Sequence, residues 1–395
     1  MTALEILFWI LLFIVFYTYI GYGILLFILV KLKRLFSKKQ TFPIPDNDQL
    51  PEVSVIVAAY NEEDFIDDKI KNSLALDYPS EKLKLIFVTD GSTDNTPNIV
   101  KNYPQVKLMH KAERGGKIGA INRAMDEVTS PVVIFSDANA LLNKMAVKEI
   151  VKHYQNPKVG CVSGEKRVLT DSAQNAGASE GFYWKYESKL KQWDYELYSA
   201  VGAAGELFSV RTNLYRHVEK DTILDDFIIS LRIAQEGYII AYEPNAYAQE
   251  SASENIAEEK KRKVRISAGG IQSVLRLKPL FNLFKYGILS FQFISHRVLR
   301  WTVTPWAMLL LFFINIPLIN IHPVYKFLFV GQLIFYLFAL AGWMLANKNI
   351  KVKILYIPYY FLFMNYCVIL GQIRHFKGQQ SAVWERAKRA QPVKV

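Results

Sequence analysis

The stretch VVIFSDANA, residues 132–140, joins an apolar run to two oxygen-bearing side chains. Residues 132–135 have the composition of a strand buried on both faces of a parallel sheet. Asp137 and Asn139 follow where that strand should end. Oxygen ligands at this spacing suit a hard divalent cation such as Mg²⁺ or Mn²⁺, which also accepts phosphate oxygens. Ordinary turns contain the same pattern, so the rest of the chain must decide between a metal site and a turn.

Further apolar runs upstream of this strand indicate an α/β fold. The predicted strands are residues 53–58, 85–89, 106–109 and 132–135, and the predicted helices between them are residues 61–74, 96–102 and 117–127. Strands that alternate with helices are typical of a parallel sheet covered on both faces. Ligands bind beyond the carboxyl ends of the strands in such sheets. Tyr60, Asp90 and Asp137 fall at those ends, which predicts a site there.

The second half of the chain is less regular before it becomes strongly apolar. The predicted helices are residues 175–191, 226–236 and 252–277. Residues 202–211 are small and apolar. Residues 280–298 are apolar but interrupted by Lys285, His296 and Arg297, so we expect this segment to lie in the membrane interface.

Four segments approach the roughly 20 apolar residues that a helix needs to cross a bilayer. They are residues 4–30, 302–319, 327–346 and 354–373. The first has too long an apolar run and too few basic residues at its start for a cleaved signal peptide, so we expect it to stay as an anchor. The predicted units are an anchor at 1–31, a linker at 32–51, an α/β domain at 52–251, basic and interfacial helices at 252–301, about three spans at 302–373 and a basic tail at 374–395.

Many of the basic residues behind the net charge of +12 lie next to these apolar segments. They are Lys31, Lys33, Arg34, Lys38 and Lys39 after the first, Lys348, Lys351 and Lys353 between the last two, and Arg374, His375, Lys377, Arg386, Lys388 and Arg389 in the tail. Positive residues beside spans mark the cytoplasmic side and favour contact with membrane lipids. One span before the domain and three after it would place the tail outside, whereas its charge favours the inside.

Two other classes of site are not expected. The chain shows no helix-turn-helix, zinc-finger or RNA-binding pattern, so no nucleic-acid partner is predicted. Cys161 and Cys367 are far apart, which predicts neither a disulfide framework nor a cysteine metal cluster.

The order of the polar motifs resembles the membrane-bound family 2 glycosyltransferases, which transfer a sugar from a nucleotide diphosphate donor. The motifs are VSVIVAAYNEED at 53–64, VTDGSTDNT at 88–96, ERGGKIGAINRAM at 113–125, DAN at 137–139 and TILDDFIISLRIAQEGY at 222–238. The resemblance covers residues 53–266 and implies a GT-A-type nucleotide-diphospho-sugar transferase domain. Members of this family include cellulose, hyaluronan, chitin-oligosaccharide and poly-N-acetylglucosamine synthases, and enzymes that glycosylate lipid carriers.

On the donor side, the resemblance places Tyr60 and Glu62 at the border of the nucleotide base. It assigns Asp90 to a hydrogen bond with the uracil edge. Lys117 would bind the donor diphosphate, after paired glycines whose backbone N–H groups can approach a phosphate. Asn122 would support the pocket.

Each of these donor-side residues also has a structural interpretation. Asn61 can cap a helix whose first turn carries Glu62 and Glu63. Asp90 and Asp94 can form a turn and a helix cap, and Lys117 can be an exposed helix residue.

Asp137-Ala138-Asn139 corresponds to the family's Asp-x-Asp position. The resemblance places Asp137 near the ribose and the metal, and Asn139 on the metal. The family often has Asp where this chain has Asn139, and a neutral carbonyl binds a cation more weakly than a carboxylate. Mg²⁺ or Mn²⁺ is still the expected cofactor, because it neutralises charge that develops on the leaving diphosphate.

Leu224-Asp225-Asp226 corresponds to the family's Thr-Glu-Asp motif. The resemblance makes Asp226 the general base that takes a proton from the acceptor hydroxyl, with Asp225 in support. Burial and the neighbouring like charge would raise the pKa of Asp226 and help it accept that proton. The alternative is that Asp225 and Asp226 are the N-cap and first-turn acids of the next helix.

The acceptor side matches the family less well. GELFSVR, residues 205–211, resembles the loop before the base, although a buried strand explains it equally well. Of the Gln-x-x-Arg-Trp motif of polymerising members, only Arg265 is present, and it would bind the diphosphate product. The absent Trp removes an aromatic platform for an acceptor sugar. Arg262, Lys263 and Arg265 can alternatively form the basic face of an interfacial helix.

These observations predict a membrane-anchored inverting glycosyltransferase with a cytoplasmic catalytic domain. Its donor would be a nucleotide sugar, expected to be a UDP-sugar, and its acceptor a saccharide or a lipid-linked saccharide in cell-envelope or exopolysaccharide synthesis. Two alternatives remain, a processive polysaccharide synthase that couples polymerisation to export and a membrane receptor that binds nucleotide sugar without turnover. A transporter is disfavoured because the apolar segments contain few ionisable residues.

Overall fold

The computed structural model describes residues 1–37, 41–169, 177–251, 255–348, 350 and 352–381. Lys38, Lys39, Lys351 and the predicted basic tail from residue 382 onward lie outside the described residues. The chain begins with helix α1 (Ala3–Phe16), which continues through a π-helical turn (Tyr17–Gly21) into helix α2 (Tyr22–Phe36). The anchor predicted from the apolar pattern is therefore one continuous helix.

Eight strands form one mixed sheet within the described residues. They are β1 (Val53–Ala59), β2 (Leu83–Asp90), β3 (Lys107–Lys111), β4 (Val132–Asp137), β5 (Leu141–Leu142), β6 (Val159–Leu169), β7 (Leu207–Arg211) and β8 (Ile239–Ser251). The order across the sheet is β3-β2-β1-β4-β7-β6-β8-β5. Strands β1 to β4 are parallel to one another, as the sequence predicts, whereas β7 runs antiparallel to β4 and β6.

Helices cover both faces of the sheet, and apolar side chains on both faces explain why. In β1, Val55 and Val57 pack into one core and Ile56 into the other. Each such buried side chain contributes about 1.5–3 kcal/mol relative to exposure. The helices of this region are α3 (Ile66–Leu74), α4 (Thr96–Lys101), α5 (Gly116–Met125), α6 (Ala146–Val151), α7 (Gly177–Leu197) and α8 (Asp225–Gln235), with short 3₁₀ turns at Ser80–Lys82, Lys152–Gln155 and Thr212–Leu214.

Helix α3 begins later than the predicted helix at residues 61–74. Asn61 has a φ of +52°, in the left-handed region, and its Oδ1 accepts a 2.8 Å hydrogen bond from the Thr93 N–H. This bond ties the loop after β1 to the loop after β2. The interpretation of Asn61 as a helix cap is therefore wrong, because its side chain is used between two loops.

The C-terminal part of the chain is helical. It contains α9 (Ile256–Arg276), a 3₁₀ turn (Lys278–Phe281), α10 (Leu283–Tyr286), α11 (Ile288–Phe293), a π turn (Ile294–Val298), α12 (Leu299–Trp301), α13 (Val303–Leu318), α14 (Pro323–Ala346) and α15 (Lys353–Phe376). Three helices of the described chain, Ala3–Phe36, α14 and α15, are long and apolar enough to cross a membrane. Ile288–Trp301 and α13 meet at a bend of 54° and add a fourth span only if they are counted together. Helix α13 has 16 residues, which is short of a full crossing.

The predicted interfacial segment carries polar residues that bind the α/β domain. His296 Nδ1 lies 2.5 Å from an Asp194 carboxylate oxygen, and Arg297 forms a 2.7 Å ion pair with Glu187, both on α7. Tyr22 of the anchor helix donates a hydrogen bond to Asp194 as well. Buried polar contacts thus join α2, α7 and the segment before α13. Both cysteines are free and buried.

Candidate active site

Three residues from separate parts of the sequence meet at the carboxyl edge of the parallel strands. Asp137 ends β4, Lys117 lies in the first turn of α5, and Asp225 begins α8. Lys117 Nζ is 2.9 Å from Asp137 Oδ1 and 3.5 Å from Asp225 Oδ2. The structure therefore brings the predicted diphosphate, metal and base motifs together around one ammonium group.

Lys117 remains charged at this position despite its burial. Burial alone lowers the pKa of Lys117, but attraction to Asp137 and Asp225 outweighs that effect and raises the pKa above its ordinary value. The alternative that Lys117 is simply an exposed helix residue is therefore wrong. A permanently charged, compact ammonium group suits a diphosphate.

The paired glycines before Lys117 act on Asp90. The N–H groups of Gly115 and Gly116 donate hydrogen bonds of 2.8 and 2.7 Å to Asp90 Oδ2. Gly116 has a φ of +80°, which favours glycine. The expectation that these N–H groups face a phosphate is wrong in this conformation, because Asp90 accepts them. The other oxygen, Asp90 Oδ1, is buried and accepts no hydrogen bond among the described residues.

The remaining donor-side residues surround this loop. Tyr60 lies under the Arg114 guanidinium, 3.7 Å from the ring centroid. Glu62 is buried, and its backbone N–H donates to Thr96 Oγ1 at 2.9 Å. Asn122 accepts a 2.6 Å hydrogen bond from the Tyr215 hydroxyl, behind the site. The stacking of Arg114 on the Tyr60 ring was not predicted, although the sequence shows an arginine directly before the glycine pair.

The two acids at the start of α8 do not cap it. Leu224 occupies the N-cap position, and no side chain makes a capping hydrogen bond there. Burial, and then repulsion by Asp225, raise the pKa of Asp226 to about 7, although the nearby Lys117 opposes this rise. The N-cap part of the alternative interpretation is therefore wrong, whereas both acids do lie in the first turn of α8. Asp226 has instead the raised pKa that suits a base operating near neutrality.

The loop before β7 leaves space for Asp226. A Cβ atom on Gly205 would lie 3.2 Å from Asp226 Oδ2, so any larger side chain would crowd the carboxylate. The strand begins two residues later, at Leu207. Of the two interpretations of residues 205–211, the loop applies to the first residues and the buried strand to the rest.

Arg265 of α9 belongs electrostatically to the same site. Burial lowers the pKa of Arg265, and attraction to Asp225, Asp137 and Asp226 partly offsets this effect. Its neighbour Arg262 forms a 3.1 Å ion pair with Glu259 on the same helix. Arg262, Lys263 and Arg265 therefore do not form one basic face, because Arg265 interacts with the acids of the site whereas Arg262 pairs with Glu259.

The oxygen atoms of this site fit a divalent cation held partly by its substrate. Asp137 ends β4, the buried Asn139 follows two residues later, and the buried Asp225 Oδ2 accepts no hydrogen bond within the described residues. Those residues contain no group of three or more His, Cys, Asp or Glu side chains that could hold a metal. An ion here would therefore need donor phosphates and water as further ligands.

A cavity of about 900 Å³ leads away from Asp226. Its polar part includes Glu206, Lys191, Arg297 and Arg300, and much of its apolar wall comes from the π turn and α2 of the anchor helix and from α14 and α15. The sequence did not single out Lys191 or Arg300, because they lie on elements that only the folded chain brings together. The cavity connects the candidate base with the helices that could cross a membrane.

An aromatic ring stands beside the base in this cavity. Trp301 packs edge-on against Phe227 with 5.0 Å between ring centroids, and Phe227 directly follows Asp226. A Cβ on Gly270 would lie 2.7 Å from the Trp301 ring, so the glycine admits this close approach. The cavity thus contains an aromatic side chain, from a different helix than Arg265.

Comparison with known proteins agrees with this architecture. Residues 54–218 match the model of glycosyl transferase family 2. The poly-beta-1,6-N-acetyl-D-glucosamine synthase of Staphylococcus aureus (strain MSSA476) is 27% identical over 240 residues, which are 58% of this chain and 57% of that protein. The beta-monoglucosyldiacylglycerol synthase of Nostoc sp. (strain PCC 7120) is 29% identical over 215 residues, which are 50% of this chain and 44% of that protein.

A solved structure shares the overall fold. A mannosyltransferase from Pyrobaculum calidifontis, in complex with GDP-Man and Mn²⁺, superposes with a TM-score of 0.69 at 23% identity, over 96% of this chain and 100% of that one. The chain spans little more than half the length of the first of the two synthases and less than half of the second. The family match, the related synthases and this shared GT-A architecture together show that the chain contains a family 2 glycosyltransferase domain, at residues 54–218.

Proposed function

We propose that this protein is a membrane-anchored inverting glycosyltransferase that moves a sugar from a UDP-sugar to a lipid-borne saccharide acceptor during cell-envelope or exopolysaccharide synthesis. The observation that carries this proposal is the cavity that joins Asp226 to the candidate membrane helices. An acceptor with an apolar anchor can stay in the membrane while its hydroxyl group reaches the base.

The donor would bind across the carboxyl ends of β1, β2 and β4. Asp90 Oδ1 is buried 3.6 Å from an Arg123 nitrogen and accepts no hydrogen bond among the described residues, which suits an N–H of the base. Tyr60 and Glu62 would border the base, and Lys117 and Arg265 would bind the diphosphate. Lys117 would exchange its contacts with Asp137 and Asp225 for contacts with phosphate oxygens.

The transfer itself needs one displacement at the sugar. Asp226 takes the proton of the acceptor hydroxyl, the new bond forms between that oxygen and C1, and the bond from C1 to the diphosphate breaks. The electron pair of the broken bond leaves on the diphosphate, beside Lys117 and Arg265. A single displacement inverts the configuration at C1 and requires no enzyme nucleophile, with Asp225 in support of Asp226.

Asp137 and Asn139 would hold a divalent cation. When bound, Mg²⁺ or Mn²⁺ would neutralise negative charge on the diphosphate. The solved mannosyltransferase of the same fold was obtained with Mn²⁺, which supports this assignment.

Contacts between the domain and the anchor support a cytoplasmic orientation of the domain. Lys33 donates a 2.8 Å hydrogen bond to a carbonyl of α7, and Arg34 binds Glu196. The basic end of the first helix therefore contacts the catalytic domain, and basic ends of spans face the cytoplasm. We assign the domain, within residues 52–251, to the cytoplasmic face.

The processive synthase remains a second candidate because Trp301 provides a stacking surface near Asp226. A related protein is named a polysaccharide synthase. The apolar walls of the cavity favour a lipid over a hydrated polymer. The receptor without turnover is disfavoured, since Asp137, Asp225 and Asp226 all interact electrostatically with Lys117, as a transferase would require.

A panel of UDP- and GDP-sugars tests the donor assignment. Purified full-length protein in neutral detergent, with membrane lipid extract and Mg²⁺ or Mn²⁺, should release UDP from one UDP-sugar at a rate well above the others. Nucleotide diphosphate release, followed by a coupled assay, is the measurement. Release of GDP alone would overturn the UDP assignment but keep the transferase, and binding without any release would favour the receptor.

A further inference from the structure

A basic cluster lies in the cavity between the candidate base and the membrane helices. Arg297 and Arg300 form ion pairs of 2.7 and 2.8 Å with the two oxygens of Glu187. Lys191, one helical turn further along α7, faces the same group and is attracted to Glu187 and repelled by Arg297. Arg297 and Arg300 thus share one carboxylate, whereas Lys191 is attracted to Glu187, Glu165 and Glu206 without forming an ion pair with any of them. His296, another neighbour of Glu187, is held by Asp194.

Lys191 is the member of this cluster that most clearly lacks an anion. The Lys191 side chain is buried and lines the cavity. Its Nζ lies 5.7 Å from the centroid of the Tyr242 ring. No carboxylate of the described residues lies within ion-pair distance of its Nζ. Burial lowers the pKa of Lys191, which is the cost of holding a cation there without a paired anion. A ligand anion would remove that cost.

The cluster occupies the boundary between the polar and apolar parts of the cavity. Towards the active site, Glu206 interacts electrostatically with both Lys191 and Asp226. Towards the membrane helices, the Arg300 guanidinium lies 6.0 Å from the Tyr19 ring, which packs 4.6 Å from Phe361 of α15. An anion bound here would therefore sit between a reacting hydroxyl at Asp226 and an apolar chain.

The far part of the cavity has the surface that an apolar chain requires. Its lining residues come from the anchor helix and from α14 and α15, and they are Ile20, Ile24, Phe27, Phe335, Ile357 and Val368. Contact with aliphatic and aromatic walls stabilises a bound apolar chain by about 25 cal/mol for each Å² of apolar surface removed from water. A free anion in solution would use the basic cluster but not these walls.

We propose that the acceptor is a phosphate-linked glycolipid, in which a phosphate joins the apolar chain to the sugar, and that Lys191, Arg297 and Arg300 bind that phosphate. The inference rests on the proposed transfer to a lipid-borne acceptor and specifies its chemistry. The phosphate is a recognition group, because the nucleophile is a hydroxyl whose proton goes to Asp226. A phosphate oxygen would be ionised already and would need no base.

A binding experiment with three simple probes tests this site without any turnover. Purified full-length protein in neutral detergent is titrated with dodecyl phosphate, with dodecanol and with inorganic phosphate. The first should bind about tenfold or more tightly than the second, because charge-assisted hydrogen bonds to the phosphate add to chain burial. Inorganic phosphate at the same concentrations should not displace it. Equal affinity for dodecyl phosphate and dodecanol would overturn the proposal.

Two lysine variants locate the binding to the cluster. Lys191→Met keeps the length of the side chain and leaves no carboxylate without a partner. It should weaken the binding of dodecyl phosphate by about tenfold and leave the binding of dodecanol unchanged. Lys189→Met, an exposed position on the same helix, is the matched control and should change neither. Unchanged dodecyl phosphate affinity in Lys191→Met would contradict the site. If that variant fails to fold, the wild-type comparison of the three probes still decides.

This test can fail independently of the proposed function. Loss of phosphate selectivity, with sugar transfer to lipid still observed, would leave a glycosyltransferase whose lipid acceptor is neutral. Displacement of dodecyl phosphate by inorganic phosphate or by UDP would place the bound probe in the donor site and overturn the inference.

Discussion

Asp226→Asn should lower the rate of sugar transfer by about 10²–10⁴-fold, the contribution typical of a positioned base. The amide keeps the shape of the side chain but cannot take the acceptor proton. Donor affinity should stay near the wild-type value, because Lys117 and Arg265, rather than Asp226, would bind the diphosphate. Single-turnover transfer and nucleotide-sugar titration measure these two quantities separately.

The pH dependence of the wild-type enzyme provides an independent check on the same residue. With a pKa of about 7 in the donor-free protein, Asp226 is protonated below neutrality and ionised above it. The value of kcat/KM should therefore rise as pH increases through about 7, and Asp226→Asn should lose this step. Asp225→Asn is the matched control, with a milder loss of rate. More than about a tenth of wild-type transfer in Asp226→Asn would contradict the base assignment.

Removal of the divalent cation should abolish turnover, and so should Asp137→Ala. The cation would offset charge on the leaving diphosphate, a stabilisation worth several kcal/mol. Excess chelator should stop nucleotide release, and added Mg²⁺ or Mn²⁺ should restore it in the wild type but not in Asp137→Ala. Thermal unfolding should show that the variant remains folded, since the carboxylate is at the edge of the sheet.

Asp126→Ala is the control for the metal experiment. Asp126 is exposed and pairs with His217 away from the cluster around Lys117, so its removal should leave metal-dependent turnover intact. Full activity of the wild type in excess chelator would show that the site works without a cation.

The central strands could be predicted because both of their faces are buried. Strands β1, β2 and β4 are runs of aliphatic and aromatic residues, and their apolar composition identifies them without any knowledge of their neighbours. The later strands β6 and β8 carry charged residues such as Lys166 and Glu250, whose pairing with each other buries them. That pairing depends on the folded sheet, so the sequence pattern alone did not reveal these strands.

Contacts between distant loops account for the errors around the donor site. The sequence correctly marks Asn61 and the glycine pair as special positions, but it does not show which groups they bind. Asn61 contacts Thr93, and the glycine N–H groups contact Asp90. Both partners lie at or just after the end of β2, which only the sheet brings beside the loops that follow β1 and β3.

The acceptor side could be predicted least. Lys191 and Glu187 are on α7, whereas Arg297, Arg300 and Trp301 lie before α13, and no local pattern links the two stretches. The interruption of an apolar segment by His296 and Arg297 indicated an interfacial helix. Their buried contacts with Asp194 and Glu187 show that these residues also pack against the domain, which the local pattern did not reveal.

The destination of the transferred sugar tests the central claim most directly. Full-length protein in lipid bilayer discs, with membrane lipid extract, a divalent cation and a radiolabelled nucleotide sugar, is extracted with organic solvent after the reaction. The cavity from Asp226 to the membrane helices predicts that the label moves into the organic phase, and that Asp226→Asn prevents this movement. Label that accumulates only in a water-soluble polymer, or that stays on the nucleotide, would contradict a lipid-borne acceptor.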